Sequence, residues 1–339
     1  MSEATDNNPE LNKLQKERDF WKAKADGYQQ TLKTIDSIDR EFLISAGSMQ
    51  QRANYHSFAR ILKRDVIQQR EALGSTYLSE HKAGVGEANK VPSLKDHHGL
   101  VSKDLSHDAL VKAAVKEAVV FFEHSEAQNR SYPSKQSLQF IGSTNNYYTA
   151  ESAAFKLATS PLFLIPIIEY FGMLPILSGF GLTLAKNEEF FRKSSQRLHM
   201  DPEDRTQMKV FLYITDVDTN SGPFMAANAQ ASRCQFEDPM FILDRMDDDV
   251  VARTELKIFT GPAGTTTFCD TCRCLHAGGR PGDRIRLQMS FEYNIPTYLW
   301  APLYDGDGEF RDRLGAIKHA EDDPLMSALL GKSLMYQSI

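Results

Sequence analysis

The chain is poor in cysteine, with four in 339 residues. Three of them crowd together as Cys269, Cys272 and Cys274, unlike the dispersed, even-numbered framework of a small secreted disulfide protein. A reducing cytoplasm is therefore the expected compartment. Basic charge is in deficit. Lys and Arg number 39 against 45 Asp and Glu, for a net charge of −6. A nucleic-acid binder's basic footprint is lacking, and no nucleic-acid partner is expected. No apolar run reaches the roughly 20 residues that a membrane span needs. The most apolar stretch, residues 161–177, is interrupted by three prolines and by Glu169, so no membrane partner is expected either. The first ten residues are polar and lack the apolar core of a signal peptide. No period of 20 to 50 residues repeats, which excludes a solenoid. What remains, 41% hydrophobic and 25% charged, is the composition of a globular protein.

Two kinds of pattern divide the chain. The first part reads as helical. Leu14, Trp21, Tyr28, Ile35 and Phe42 recur every seven residues, which marks either a helix laid across its own domain or a coiled-coil arm joining two copies in a homodimer. Residues 50–73 continue with helical spacing. Residues 74–95, rich in Gly, Ser, Lys and Glu, read as a linker. The expected organisation is thus a helical extension and linker over residues 1–95 and a main domain over 96–339. Helices are predicted from Ser106, as N-cap, to about Glu126, and over 150–172 with breaks at the prolines.

From about Gly179 to Tyr298 strand signals dominate. Residues 209–217, 256–260 and 265–269 read as strands separated by Asn-Ser-Gly-Pro and Gly-Pro-Ala-Gly turns. Residues 284–293 alternate strictly. Ile285, Leu287, Met289, Phe291 and Tyr293 make one apolar face, and Arg284, Arg286, Gln288, Ser290 and Glu292 make one polar face. That polar face either meets solvent or lines a polar cavity. Helices followed by many strands predict an α+β protein on a jelly-roll-like barrel.

Within this strand-rich half lies His199-Met200-Asp201. On an extended strand residues i and i+2 share a face, roughly 6.6 Å apart. One imidazole and one carboxylate can therefore reach a single metal ion. His276 stands far downstream in Leu275-His276-Ala277-Gly278-Gly279. Two His and one carboxylate, with coordination positions left open, form the ligand set of non-heme Fe(II) oxygenases.

The motifs around these residues occur in a telling order. They are Ser195-Gln196, His199-x-Asp201, Asp204, the strand 209–213, Asp216-Val217 and Ser221-Gly222-Pro223. Gly264-Thr265, Asp270-Thr271, His276-x-Gly278-Gly279-Arg280-Pro281 and Arg284 follow. Over about residues 140–300 this order resembles the phytanoyl-CoA dioxygenase family. The resemblance implies a double-stranded β-helix (jelly-roll, cupin-like) with flanking helices. It also implies Fe(II), 2-oxoglutarate as cosubstrate and O2, with a small organic molecule hydroxylated and succinate and CO2 released. It assigns the metal to His199, Asp201 and His276, and the distal carboxylate of 2-oxoglutarate to Arg284. Arg286, on the same strand face, is the rival for that carboxylate. Halogenating relatives lack the carboxylate ligand, so Asp201 argues for hydroxylation or a related oxidation. The sequence departs from the family where Asn228-Ala229-Gln230 follows Gly-Pro, at Leu198 and at Ala277, which predicts an altered substrate pocket. Loops over 140–148, 224–241 and beyond Trp300 are expected to build it.

Other readings compete. Cys269, Cys272, Cys274 and His276 could hold a structural zinc, although structural sites pair two separated knuckles; buried apolar-like thiols are the plainer alternative. Asp247-Asp248-Asp249 lacks the alternating ligand spacing of a Ca loop, and His97-His98 has no evident partners. Lys209 could face the cavity or the surface. A metal hydrolase would need Glu292 or Asp204 as general base. A non-catalytic metal-binding barrel or scaffold, with the N-terminal helices as its interacting part, is the remaining alternative.

Overall fold

The computed structural model describes residues 14–23, 26, 49–125, 130–131, 138–141, 149–185, 196–233, 255–279, 282–297 and 323–331. Of the heptad positions only Leu14 and Trp21 fall within these. Both lie on the helical residues 14–23 and are exposed. The Asp247–Asp249 run, and residues 142–148 and 234–241 of the expected pocket loops, lie outside the described residues, as does all of the chain beyond Trp300 but 323–331.

The helices are α1 (Met49–Leu62), α2 (Arg64–His81), α3 (Ala109–Ser125), α4 (Ala153–Ala158), α5 (Pro161–Phe171), α6 (Ala229–Arg233) and α7 (Pro324–Leu329). The strands are β1 (Leu100–Asp104), β2 (Arg130–Ser131), β3 (Leu138–Ile141), β4 (Ile176–Ala185), β5 (Gln207–Tyr213), β6 (Phe224–Ala226), β7 (Lys257–Phe259), β8 (Thr265–Asp270), β9 (His276–Gly278) and β10 (Arg286–Asn294).

Two helix boundaries differ from the sequence reading. The expected linker begins inside α2, which runs on through Gly74 to His81. Packing overrides local propensity here. A Cβ on Gly74 would lie 2.8 Å from the Leu174 amide nitrogen, so glycine lets α2 press against the chain leaving α5. Arg70 on the same helix donates to the carbonyls of Leu174 (2.9 Å), Ala328 (3.0 Å) and Pro175 (2.5 Å). The α3 helix is capped by Asp108 rather than Ser106. The Asp108 carboxylate accepts from the N–H groups of Leu110 and Val111, the usual N-cap geometry. Of the breaks expected at the prolines, one falls at Thr159-Ser160, with Pro161 opening α5 where its missing N–H costs nothing, whereas Pro166 stands inside α5 without ending it. Residues 153–171 together are long and apolar enough to cross a membrane, but 67% of that stretch is buried inside the protein.

Seven strands form a large antiparallel sheet in the order β1-β8-β5-β10-β4-β3-β2. A small antiparallel sheet has the order β7-β6-β9, and His199 joins its edge through a bridge to His276. From β4 onward the chain alternates between them. It visits β4 in the large sheet, His199 in the small, β5 in the large, β6 and β7 in the small, β8 in the large, β9 in the small and β10 in the large.

The alternation of β10 sorts its side chains as the sequence predicts. Leu287, Met289, Phe291 and Tyr293 join Met208, Val210, Leu212, Phe268 and Leu182 in the main core, packed beneath α3, α4 and α5. Each large side chain buried there contributes roughly 1.5–3 kcal/mol. The opposite face of the large sheet looks toward the small sheet. Phe211 of β5 packs on Phe224 of β6, ring centroids 4.5 Å apart. The Tyr213 hydroxyl donates to the Phe259 carbonyl and accepts from the Phe224 N–H. The polar face of β10 therefore lines the space between two sheets, buried at Arg286 and Gln288 and partly open to solvent at Ser290 and Glu292.

Candidate metal centre

The small sheet places two of the predicted ligands by backbone geometry. His199 and His276 exchange both main-chain hydrogen bonds, at 3.0 and 2.9 Å. In an antiparallel ladder such partners project to the same side, and their ring centroids lie 4.3 Å apart. Leu198, Met200, Leu275 and Ala277 alternate to the other side and form an apolar cluster. Asp201 is fixed by its own amide, which donates to the Thr271 carbonyl at 2.8 Å. Thr271 in turn donates its amide to the Gln207 carbonyl. Gly279 follows the second ligand because the chain passes too close for a side chain. A Cβ there would sit 2.3 Å from the Pro223 oxygen.

His199, Asp201 and His276 are buried, and their ligand atoms all lie within 4.8 Å of one another. They are the one group of three His, Cys, Asp or Glu gathered in this way among the described residues. The Nδ1 of His199 meets the Arg197 carbonyl at 2.8 Å, and that of His276 meets the Cys274 carbonyl at 3.0 Å. A carbonyl can only accept, so each Nδ1 carries the proton. Each Nε2 is then the lone-pair nitrogen, turned toward Asp201 at 3.7 and 3.9 Å. This is how outer partners fix the tautomer of a metal-binding histidine. Burial alone would raise the Asp201 carboxyl, but the Lys209 ammonium holds it below the usual carboxylate range. The donor set thus fits a divalent ion of the Fe(II) type, with positions left for 2-oxoglutarate and O2.

Charged groups gather around Asp201. Lys209 on β5 places Nζ 2.9 Å from Asp201 Oδ2 and 3.4 Å from Glu292 Oε1. Burial would lower the Lys209 ammonium, but Asp201, Glu292 and Glu203 outweigh it and keep the charge. Glu203 is pushed up to about 7 by burial and by the charge of Asp201.

The two candidate arginines separate. Sequence reasoning assigned the distal carboxylate to Arg284 with Arg286 as its rival, and the structure places the two in different surroundings. Strand β10 begins only at Arg286. Arg284 lies in the turn before it, 65% exposed, with Nη1 2.7 Å from Asp218 Oδ2. Arg286 is 4% exposed. Its Nε and Nη1 have no hydrogen-bond partner among the described residues, and neither does Oε1 of Gln288 on the same face. Burial lowers the Arg286 pKa, against the favourable influence of Tyr213.

Other candidates fall away from the centre. Cys269, Cys272 and Cys274 are free and buried. Burial raises the thiols of Cys269 and Cys272 well above their ordinary value, and the Cys274 thiol faces the carbonyls of His98 and Gly99. Cys269 and Cys272 are thus held as thiols and not as zinc-ready thiolates. Asp204, a conceivable hydrolytic base, is engaged by the Arg205 amide, Thr297 and His56. Glu292 is engaged by Lys209. Asp270 is a brace: it accepts from Tyr170, Thr206 and the Gln207 amide. Sequence reasoning named neither Glu203 nor Asp270 as a site or brace residue. Glu203 had only its position beside the first ligands as a signal, and Asp270 stood among the ordered motifs without a role assigned to it.

No family model matches the chain, and no curated protein matches it. Solved structures do. The epimerase SnoN of nogalamycin biosynthesis, in complex with Fe3+, alpha-ketoglutarate and nogalamycin RO, is 20% identical over 64% of this chain and 89% of its own, with a TM-score of 0.47. EctD from S. alaskensis, with 2-oxoglutarate and 5-hydroxyectoine, is 14% identical over 62% and 78%, TM-score 0.44. HygX from Streptomyces hygroscopicus, with nickel, 2-oxoglutarate and hygromycin B, is 11% identical over 59% and 84%, TM-score 0.40. These are loose likenesses. The geometry above stands without them.

Proposed function

We propose that the protein is an Fe(II)- and 2-oxoglutarate-dependent oxygenase that hydroxylates or otherwise oxidises a small organic molecule. The alternation of the chain between its two sheets supports a double-stranded β-helix, and the ordered motifs support kinship with the phytanoyl-CoA dioxygenases. One observation carries the reading. A buried two-His, one-carboxylate set shares the inter-sheet space with Arg286, a buried guanidinium whose donors are not used up. A catalytically idle barrel has no use for either.

His199 and His276 would hold the ion through Nε2 and Asp201 through its carboxylate. Bound Fe(II) would supply O2 activation coupled to decarboxylation, so that 2-oxoglutarate, O2 and R–H yield succinate, CO2 and R–OH. Arg286 offers a planar fork suited to the distal carboxylate of 2-oxoglutarate. Phe224, 5.8 Å from the His276 ring, and Phe211 beside it keep bulk water from that side. Retention of Asp201 favours hydroxylation over halogenation. The reduced, buried cysteines fit a cytoplasmic protein, and exposed Leu14 and Trp21 offer a seam for a second copy.

The test is anaerobic addition of Fe(II) and 2-oxoglutarate to metal-free protein, watching for the metal-to-ligand charge-transfer band. The band should appear in wild type, vanish in His199→Ala, weaken in Arg286→Met and persist in Arg284→Ala. A folded wild type that shows no band sinks the cosubstrate assignment.

A further inference from the structure

Resting on that reading, we infer that Lys209 is a positioning residue that claims one oxygen of Asp201, so that the carboxylate serves the metal through its other oxygen alone. The geometry is specific. Lys209 stands directly opposite Glu292 of β10 and Cys269 of β8 in the large sheet, on the face that looks into the inter-sheet space. Its Nζ reaches Asp201 Oδ2 at 2.9 Å, while Glu292 Oε1 holds the ammonium from the other side at 3.4 Å. Asp201 Oδ1 faces His199 Nε2 at 3.7 Å and Oδ2 faces His276 Nε2 at 3.9 Å, so both oxygens border the metal position and the ammonium sits on one of them.

The consequence is a count of coordination positions. On an octahedral ion, two imidazoles and a bidentate carboxylate leave two sites, and a chelating 2-oxoglutarate would fill both. The same ligands with a monodentate carboxylate leave three, one of them for O2. An ammonium ion-paired with Oδ2 at 2.9 Å competes with the metal for that oxygen. As a charged donor it has no lone pair with which to ligate the ion itself. Glu292 keeps the side chain from swinging away. A merely structural ion pair would show in stability alone; a device that sets carboxylate denticity shows in what the loaded metal can still bind.

The experiment uses nitric oxide as a stand-in for O2. Fe(II)- and 2-oxoglutarate-loaded protein is titrated with it, and the S = 3/2 electron paramagnetic resonance signal is followed. Wild type should give the signal. Lys209→Met should keep the charge-transfer band yet bind nitric oxide about ten- to hundred-fold more weakly, the scale of other outer-sphere changes. Lys209→Arg should restore binding. Where Lys209→Met does not fold, Lys209→Gln takes its place. Wild-type nitric oxide affinity in the folded Met or Gln variant overturns the inference and leaves the oxygenase reading intact. Absence of both band and signal in wild type overturns both.

Discussion

Two buried arginines in this protein have opposite situations. Arg70, on α2, is 2% exposed and spends its donors on three backbone carbonyls, those of Leu174, Pro175 and Ala328. Burial lowers it to about 9. Arg286, on the inner face of β10, is equally buried but leaves Nε and Nη1 unpaired among the described residues. A buried cation is costly unless hydrogen-bonded. Arg70 meets that demand within the fold, and so fastens the N-terminal helices to the chain around β4 and α7. Arg286 does not, so its demand points outward to an anionic ligand. The contrast repeats across β10: its outer face is closed hydrocarbon, its inner face a row of polar groups with vacancies. Beside the two-His, one-carboxylate cluster, the unmet donors of Arg286 and the unmet Oε1 of Gln288 share one strand face.

Substitutions can break that comparison. The largest effect belongs to the ligands: Asp201→Ala or His276→Ala should abolish succinate release while the protein still melts cooperatively. Next comes Arg70→Met, which strands three carbonyls. It should cost about 3 kcal/mol or more of stability, read by denaturant unfolding, with 2-oxoglutarate affinity unchanged in the folded fraction. Arg286→Met should do the reverse. Loss of a charge-assisted pair predicts about 10- to 100-fold weaker 2-oxoglutarate binding by calorimetry on the Fe(II) protein. Its unfolding midpoint should stay equal or rise, because an unpaired buried charge has been removed. An Arg286 variant that loses stability but not affinity would make the two arginines alike and void the contrast. Arg284→Ala should change neither property by more than about 0.5 kcal/mol, as for an exposed ion pair.

Much of this was legible in the sequence. Over residues 286–293 the alternation predicted both faces of β10, while Ile285, expected on the apolar face, precedes the strand and is 44% exposed; the His-x-Asp and downstream His predicted the cluster that forms. The choice between Arg284 and Arg286 was not legible from period alone. The two residues are in phase, and only the start of the strand separates them. That start depends on the turn at Gly282, where the amide donates to the Asn220 carbonyl, a contact between distant segments. Lys209 was ambiguous for a related reason. Strand β5 is covered on both faces, so Val210 and Leu212 on one side and Phe211 and Tyr213 on the other give no polar contrast. The end of α2 was misread because Gly74 looked like a breaker, when it is the point where α2 meets the chain leaving α5. In each case the missing information was tertiary.

The reciprocal hydrogen bonds between His199 and His276 make the ligand set a checksum on strand pairing. A slip of one residue would set Leu275 or Ala277 opposite His199 and turn His276 into the apolar layer behind. Only the correctly registered sheet can bind tightly. Metal occupancy thereby favours that register over its near neighbours by mass action, and an ion that serves the chemistry would also proofread the fold.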